Sequence, residues 1–421
     1  MRRMTVKISI AFVAVLAIVL GQSALASPAA AAQAYPVSYH RFALSAGPGT
    51  TLTTGGALTL ATSGLTPTTY TDPHLGTTRS YSMGSWTSGT FATGFGFTEL
   101  VASWIADTPA GTFVRVYMRA ERRDASFTKW YTMGVWAFGE TNILRTSVGG
   151  QGDADGFIGI DTFFAKDHPM IGYQLRLELY RASGSSASPT VRRIGAVASD
   201  PVNTKPYLPS ATTMTATTIL AVPAYSQEIH KGEYSQYDNG GEAWCSPTST
   251  SMVVAYWGTG PSPSDYAYVL DDYPGTSDPW VDYAAHYTFD YHYDGAGNWP
   301  FNVAYAGNFG LDGEVTQLHS LAEAEQFIKA GIPLVASIAF TSNKLDGFLF
   351  KSTNGHLLVI VGFDRFGNPV VNDPAATSDA TVQRTYDRAQ FEQNWMTSTG
   401  GIVYVIHPSS VPLPPSPLGN W

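Results

Sequence analysis

The sequence is short of cysteine and of charge. One cysteine, Cys245, occurs in 421 residues, so the chain cannot form an internal disulfide. Charged residues make up only 14% of the chain, and acidic residues outnumber basic ones to give a formal net charge of −9. This balance argues against nucleic acid and anionic membranes as partners. Beyond the N-terminus there is no long apolar run, so we expect no membrane span in the mature protein.

The N-terminal segment, residues 1–34, has the pattern of a secretory signal peptide. A basic start precedes an apolar run at residues 8–20, and small residues suited to cleavage follow at 24–26 or 30–32. The run is too short for a comfortable membrane span. We therefore expect a secreted bacterial protein, whose net charge becomes −12 when the segment's three basic residues are removed. These residues are Arg2, Arg3 and Lys7.

Residues 35–200 predict an all-β sandwich, jelly-roll-like in its spacing of strands. Polar and apolar residues alternate over 113–119 and 173–180, and Gly- and Pro-rich turns separate such stretches. Sandwiches of this kind often bind ligands, and exposed tryptophans would make a cell-wall glycan the candidate partner. Burial of these tryptophans in the core is the favoured interpretation. They are Trp86, Trp104, Trp130 and Trp136.

After an exposed linker at residues 201–219, residues 220–408 predict an α+β domain. Helical patterns come first, and strands dominate from residue 334 onward. An aromatic stretch at 272–310 predicts a surface loop, and its histidines and acids have no spacing typical of a metal site. We expect no metal and no other cofactor. A proline-rich, mobile tail follows at 409–421.

The lone cysteine lies at the predicted start of a helix. Pro247 suits a first helical turn, apolar residues recur at helical spacing through Trp257, and Gly258 ends the pattern. The macrodipole and the free N–H groups of a helix N-terminus stabilise a thiolate. Cys245 is therefore a candidate nucleophile rather than an inert core residue. Its neighbour Trp244 is a candidate substrate contact.

A nucleophilic thiol needs a base, and His356 is the candidate among nine histidines. It follows Gly355, which permits close approach of substrate, and it begins the most apolar strand of the domain. With a two- or four-residue loop near residue 365, Asp373 shares a sheet face with His356 and Asn372 lies on the opposite face. An odd-length loop or a bulge would reverse this. Spacing therefore favours Asp373 as the residue that orients the imidazole.

Four sequence blocks of residues 220–408 resemble, in order, those of the double-glycine-peptidase-like cysteine peptidases of the papain superfamily. The resemblance implies a papain-like fold and a triad of Cys245, His356 and Asp373. It also implies a glutamine that stabilises the oxyanion, which by motif is Gln227, with Gln236 as the alternative nearer the cysteine. The blocks are Val222-Pro223 with Ser226-Gln227, Trp244-Cys245 with Pro247-Thr248-Ser249, Gly355-His356 with Gly362-Phe363-Asp364, and Val371-Asn372-Asp373-Pro374.

Three functions remain open from the sequence. The first is a secreted, monomeric cysteine peptidase that cleaves a peptide or protein through a thioester. The second keeps the triad but is transglutaminase-like or hydrolyses cell-wall amides, because the triad does not distinguish water from an amine as acceptor. The third is a non-catalytic surface protein whose sandwich binds glycan or protein.

Overall fold

A computed structural model describes residues 35–201, 207–341 and 344–421. The predicted signal peptide, residues 1–34, and part of the predicted linker lie outside the described residues. Within the described ranges, no helix combines the length and the apolar character needed to cross a membrane.

The first domain is all-β, as its alternating pattern predicts. Its described strands are β1 (Val37–Arg41), β2 (Thr50–Leu52), β3 (Leu58–Leu60), β4 (Thr66–Thr71), β5 (Thr78–Thr87), β6 (Phe91–Phe97), β7 (Glu99–Asp107), β8 (Thr112–Glu121), β9 (Tyr131–Trp136), β10 (Gly156–Gly159), β11 (Thr162–Ala165), β12 (Met170–Ala182) and β13 (Thr190–Ser199). One antiparallel sheet has the order β10-β11-β7-β13-β3-β2, with β1 also paired to β13. The second has the order β4-β5-β12-β8-β9, with β6 also paired to β12.

The two sheets enclose a core of alternating side chains. On β12, Leu175, Leu177 and Leu179 are fully buried between the sheets. Three of the tryptophans considered for glycan stacking, Trp86, Trp104 and Trp136, belong to the same core. Trp130 is partly exposed, with the Arg119 guanidinium 4.7 Å from its ring centroid. The core interpretation is therefore correct for three of the four.

The second domain is α+β, as predicted. Its helices are α1 (Cys245–Tyr256), α2 (Ala267–Asp272), α3 (Pro279–Thr288), α4 (Trp299–Gly307), α5 (Leu321–Lys329) and α6 (Arg388–Ser398). Its strands are β14 (Thr218–Ile219), β15 (Asp312–Gln317), β16 (Leu334–Phe340), β17 (Thr353–Phe363), β18 (Pro369–Asn372), β19 (Gln383–Thr385) and β20 (Ile402–His407). They form an antiparallel sheet in the order β15-β20-β16-β17-β18-β19, with β14 on β17.

The aromatic stretch at 272–310 is not a surface loop, and that prediction was wrong. It contains helices α3 and α4, whose residues pack into the core of the sandwich. The ring of Phe301 on α4 lies edge-on to Trp104 at 6.1 Å between centroids. The aromatic residues of this stretch therefore contribute to the core of the sandwich as well as to the core of their own domain.

Strand β7 is buried on both faces because the second domain covers the outer face of its sheet. Leu100, Ala102 and Trp104 point into the sandwich, whereas Val101 and Ile105 point into a second core formed with α4 and β15. In an antiparallel sheet with one solvated face, alternate residues are polar. The nearly continuous apolar sequence of β7 therefore reflects an interface between domains.

The described part of the predicted linker, residues 207–219, is mostly exposed, as expected, and both this segment and the tail are hydrogen-bonded to the second domain. The Tyr207 hydroxyl donates to Glu392 at 3.0 Å, and Thr213 donates through its backbone N–H to Glu325 at 2.7 Å. In the tail, the Asn420 amide donates to Glu323 at 2.9 Å and its residue is fully buried. Buried carboxylates next to these segments need such donors, which explains why the segments are held.

Arg193 of β13 forms a buried ion pair between the domains. It contacts Glu314 of β15 and lies 2.9 Å from Asp312. Glu314 is fully buried, and Arg193 is the cationic side chain that contacts its carboxylate. The charge of Glu314 is therefore balanced by Arg193.

We predict that Arg193→Ala lowers the free energy of unfolding by about 3–5 kcal/mol, because it leaves a buried carboxylate unpaired. Arg41 is the matched control, since it pairs with the same Asp312 at 3.3 Å but is half exposed. Arg41→Ala should cost less than about 1 kcal/mol. Urea unfolding of the three proteins measures both values, and equal effects of the two substitutions would contradict the prediction.

Candidate active site

Helix α1 carries Cys245 at its first position. The residues that follow are buried although many are hydroxylated, and some of these hydroxyls have polar partners within the fold. Ser246 Oγ lies 2.9 Å from the Tyr404 hydroxyl, and Ser249 Oγ donates to the carbonyl oxygen of Leu357 at 3.2 Å. The Cys245 side chain is partly exposed. As the first residue of the helix, Cys245 also has a backbone N–H without a partner inside the helix.

His356 and Asp373 lie together beside this thiol. His356 Nε2 is 2.7 Å from Asp373 Oδ1, and the same imidazole lines the cleft together with Cys245. Since Asp373 occupies Nε2, the nitrogen that faces the thiol is Nδ1. The other carboxylate oxygen of Asp373 accepts a hydrogen bond from the Tyr386 hydroxyl at 2.8 Å. Tyr386 has no motif around it, and sequence reasoning missed it.

The strand register places Asp373 beside His356, as predicted, but the hairpin loop does not have the predicted length. Phe363 pairs with Pro369, so the hairpin loop has five residues, 364–368, rather than two or four. An odd loop alone would reverse the faces, but the register shifts again between Ile360 and Gly362. The odd loop and the bulge each exchange the two sheet faces, so together they leave Asp373 on the same face as His356. Asn372 turns away and donates to the carbonyl oxygen of Pro223 at 3.1 Å.

Burial and ion pairing shift the pKa values of His356 and Asp373 in opposite directions. Burial lowers the pKa of His356, but the Asp373 carboxylate and the Cys245 side chain outweigh it and raise the pKa to about 10. For Asp373, burial raises the pKa, and the facing imidazolium and the Tyr386 hydroxyl lower it below its usual value. At neutral pH the pair is therefore an imidazolium and a carboxylate.

Gln227 lies in the wall of the site, whereas Gln236 is exposed and does not line it. The Gln227 amide nitrogen donates to the carbonyl oxygen of Glu242 at 2.8 Å, three residues before Cys245. The segment between Gln227 and Cys245 folds back on itself, and Gly241 packs so closely that an added Cβ would lie 2.3 Å from the Gln227 carbonyl oxygen. The intervening residues therefore bulge away from the thiol.

Both domains line the cleft above Cys245, which encloses about 550 Å³. One wall comes from the second domain and includes His356, Gln227 and the predicted substrate contact Gly355. The other wall comes from the β10–β11 hairpin of the sandwich. The hairpin residues that line the cleft are Gly159, Ile160, Asp161, Thr162 and Phe164.

The hairpin is held over the cleft by Asp161. This side chain accepts a hydrogen bond from the backbone N–H of Trp299, the first residue of α4, at 2.8 Å. Burial raises the pKa of Asp161 to about 7, and the hydrogen bonds from Trp299 and Thr162 limit the rise. The adjacent Ile160 has φ +60° and a 40% exposed side chain at the hairpin tip. No sequence signal separated these residues from an ordinary turn.

Trp244 is not a substrate contact, and that prediction was wrong. Its side chain is fully buried among Tyr234, Val269 and Val281, and its indole N–H donates to the carbonyl oxygen of Tyr237 at 2.6 Å. The prediction rested on the proximity of Trp244 to Cys245 in the sequence. The turn into α1 directs the tryptophan inward while the cysteine faces the cleft.

Two family models match the chain. Residues 34–199 match the Peptidase C39 N-terminal domain, and residues 219–402 match the Peptidase_C39 like family. The α+β domain belongs to the C39-like peptidase family. The resemblance to double-glycine-peptidase-like enzymes is thus confirmed, and so is the enzyme class, a cysteine-type peptidase acting on a peptide or protein. Of the chain's two domains, the sandwich corresponds to the N-terminal family and the α+β domain to the catalytic one.

Two solved structures show weak likeness to the chain. The infectious bursal disease virus Gt strain structure is 11% identical, with 44% of this chain and 36% of the viral chain covered at a TM-score of 0.19. A fragment of Prevotella intermedia prointerpain A is 15% identical, with 45% and 70% covered at a TM-score of 0.25. Neither likeness is close enough to carry conclusions about function. A search of curated proteins found no match.

We predict a specific pH dependence of stability from His356. Its folded pKa of about 10 lies above the usual value of 6.5, so folding favours the protonated ring. The stabilisation is complete below about pH 6.5 and is lost as the pH rises toward 10. Urea unfolding at intervals from pH 6 to 10 measures this slope. The slope should be smaller in His356→Gln, and identical slopes would contradict the assignment of an imidazolium.

Proposed function

We propose that the chain hydrolyses peptide bonds with Cys245 as nucleophile, His356 as general acid and base, and Asp373 as the group that orients the imidazole. The supporting observation is that Cys245 and His356 line the same cleft, while His356 Nε2 lies 2.7 Å from the buried carboxylate of Asp373. Such an arrangement is what an activated nucleophile requires.

The acylation half of the reaction begins with Cys245 as a thiolate and its proton already on His356 Nδ1, which is the imidazolium state described above. The thiolate attacks the carbonyl carbon of the scissile bond, and the carbonyl oxygen becomes an oxyanion. The imidazolium then gives its proton to the leaving nitrogen, the C–N bond breaks, and a thioester on Cys245 remains. The raised pKa of His356 favours the imidazolium, which is the form that protonates the amine.

The deacylation half uses the same groups with water. Neutral His356 removes a proton from water, which attacks the thioester carbonyl carbon. The C–S bond breaks and the acid product leaves, and the thiolate and the imidazolium of the starting state are restored. Asp373 stays ionised throughout, because its carboxylate accepts from Tyr386 as well as from the ring.

Two N–H donors support stabilisation of the oxyanion. One is the backbone N–H of Cys245 at the start of α1. The other is the Gln227 amide, whose nitrogen donates to the carbonyl oxygen of Glu242 at 2.8 Å and to Glu228 Oε1 at 3.4 Å. The longer of these two bonds is the one that an oxyanion would replace. The exposed position of Gln236 gives it no comparable role.

We also propose that the sandwich takes part in substrate binding as a wall of the cleft. Support comes from the β10–β11 hairpin, which faces the catalytic groups across the cleft. Binding of a cell-wall glycan by the sandwich has less support, because three of its four candidate tryptophans are core residues. The signal-peptide pattern of residues 1–34 supports secretion as the setting of this activity.

The test of the function is Cys245→Ser in a screen of peptide substrates. We predict loss of turnover with an unchanged unfolding midpoint, because a hydroxyl of similar volume is a far weaker nucleophile than a thiolate. Mass spectrometry of the products, with and without an added primary amine, distinguishes hydrolysis from amine transfer. Undiminished cleavage by the variant would end the proposal, and amine adducts as the main product would favour the transglutaminase-like alternative.

Gln227→Ala should lower kcat about 100- to 1,000-fold, the usual effect of removing one oxyanion donor. Gln236→Ala is the matched control and should retain kcat close to that of the unmodified enzyme, since its side chain lies outside the cleft. Steady-state kinetics on one peptide substrate compares the two. A larger loss in Gln236→Ala than in Gln227→Ala would overturn the assignment and leave the triad unaffected.

A further inference from the structure

A second cluster of ionisable groups lies behind the catalytic cysteine, outside the cleft. His230 Nδ1 is 2.9 Å from Asp282 Oδ2 and 3.0 Å from Glu233 Oε2. The three atoms all lie within 4.8 Å of one another. His230 and Asp282 are fully buried, and the Glu233 side chain is 14% exposed. The peptidase mechanism uses none of these groups.

Hydrogen bonding within the cluster does not satisfy its charges. His230 Nδ1 can carry only one proton, so it can donate to only one of the two carboxylate oxygens that face it. Apart from the contact with His230, neither oxygen of Asp282 has a hydrogen-bond partner among the described residues. Two carboxylates that share a single proton donor in a buried site are costly, and a cation bound to both would relieve that cost.

The spacing of the three atoms suits a cation. Ligands in adjacent positions around an octahedral ion at ~2.1 Å lie ~3.0 Å apart, close to the two separations seen at His230. One imidazole nitrogen with two carboxylate oxygens is a donor set of first-row transition metals. We propose that His230, Glu233 and Asp282 bind one divalent transition-metal ion.

A route for the ion is present. Glu233 lines a surface pocket of about 650 Å³, together with the acidic residues Asp272 and Asp379. An acidic pocket concentrates cations at its mouth. The ion therefore reaches the buried ligands through the one that is partly exposed.

The position of the cluster gives the ion a structural role at the catalytic site. The backbone N–H of His230 donates to the carbonyl oxygen of Gln227 at 3.1 Å, and the His230 ring lies 6.1 Å from that of Trp244. Asp282 belongs to α3. The ion thus ties the segment that follows Gln227 to a helix that packs on α1. This effect on the oxyanion donor rests on the proposed function, whereas metal binding itself does not.

Binding is tested on tag-free protein carrying Cys245→Ser, which removes the thiol as a competing ligand. After treatment with EDTA, the protein is dialysed against Zn²⁺ or Mn²⁺, and its metal content is measured by elemental analysis. We expect one ion per chain and at least a tenfold weaker affinity in Asp282→Asn. The matched control Asp271→Asn, an exposed residue of α2 outside the acidic pocket, should bind as the parent does. Absence of bound metal, or equal binding by Asp282→Asn, would overturn the proposal in favour of a proton shared within the cluster.

Thermal unfolding gives a second readout that does not depend on activity. Saturating metal should raise the melting temperature of the parent by several degrees and leave that of Asp282→Asn unchanged. If Asp282→Asn does not fold, Glu233→Gln takes its place, because its residue is nearer the surface. Metal binding without peptidase activity in the Cys245 enzyme would count against the proposed function alone. Cleavage unaffected by EDTA in a metal-binding enzyme would overturn only the link to Gln227.

Discussion

The burial of one sandwich sheet on both faces is the constraint on which the site depends. Strand β7 sends Trp104 into the sandwich and Ile105 into the core shared with α4. An antiparallel sheet is stable with one face in water, so the second buried face is an added requirement of this chain. Once α4 and β15 cover that face, the catalytic sheet has one position against the sandwich. The interface thereby fixes where the two domains meet around the thiol.

The cleft follows from that position. Strand β11 pairs with β7, so the β10–β11 hairpin extends from the same sheet that the catalytic domain covers. Asp161 then reaches the start of α4, where a carboxylate interacts favourably with free N–H groups and the helix dipole. This contact holds Ile160 over the cleft in a left-handed conformation that a β-branched residue adopts only when its surroundings enforce it. The first domain is thus part of the catalytic cleft rather than an appended module.

Local patterns in the sequence predicted much of this molecule, and long-range contacts account for what they missed. The start of α1 at Cys245 and the capped helix after Ser320 follow from residues within one or two turns. The direction of Trp244 depends instead on the way the preceding turn packs against α3, which no local pattern encodes. The pairing of His356 with Asp373 was predicted from an even loop, yet it arises from an odd loop and a bulge whose effects on the register cancel.

The continuous apolar run of β7 was the overlooked signal for the interface. Residues 99–107 lack the polar alternation seen in β12, and that difference distinguishes a strand buried on both faces from one with a solvated face. Read in this way, the apolar sequence of β7 and the aromatic stretch at 272–310 each predict burial against another part of the chain. In the structure these two segments pack against each other through α4.

The return of the chain from Gln227 to Cys245 explains why the loop behind the site needs strong anchors. Three residues in it, Tyr234, Asp238 and Asn239, have φ values of 40°, 55° and 61°, in a region that costs a non-glycine residue roughly 1–2 kcal/mol. Side-chain contacts offset this cost. The Tyr234 hydroxyl donates to the Asp272 carboxylate at 2.8 Å, and Asp238 accepts from the backbone N–H of Ala296 at 3.1 Å. A cation held by this loop and α3 would act at the same point, because it would fix the left-handed turns that return the chain to the nucleophile.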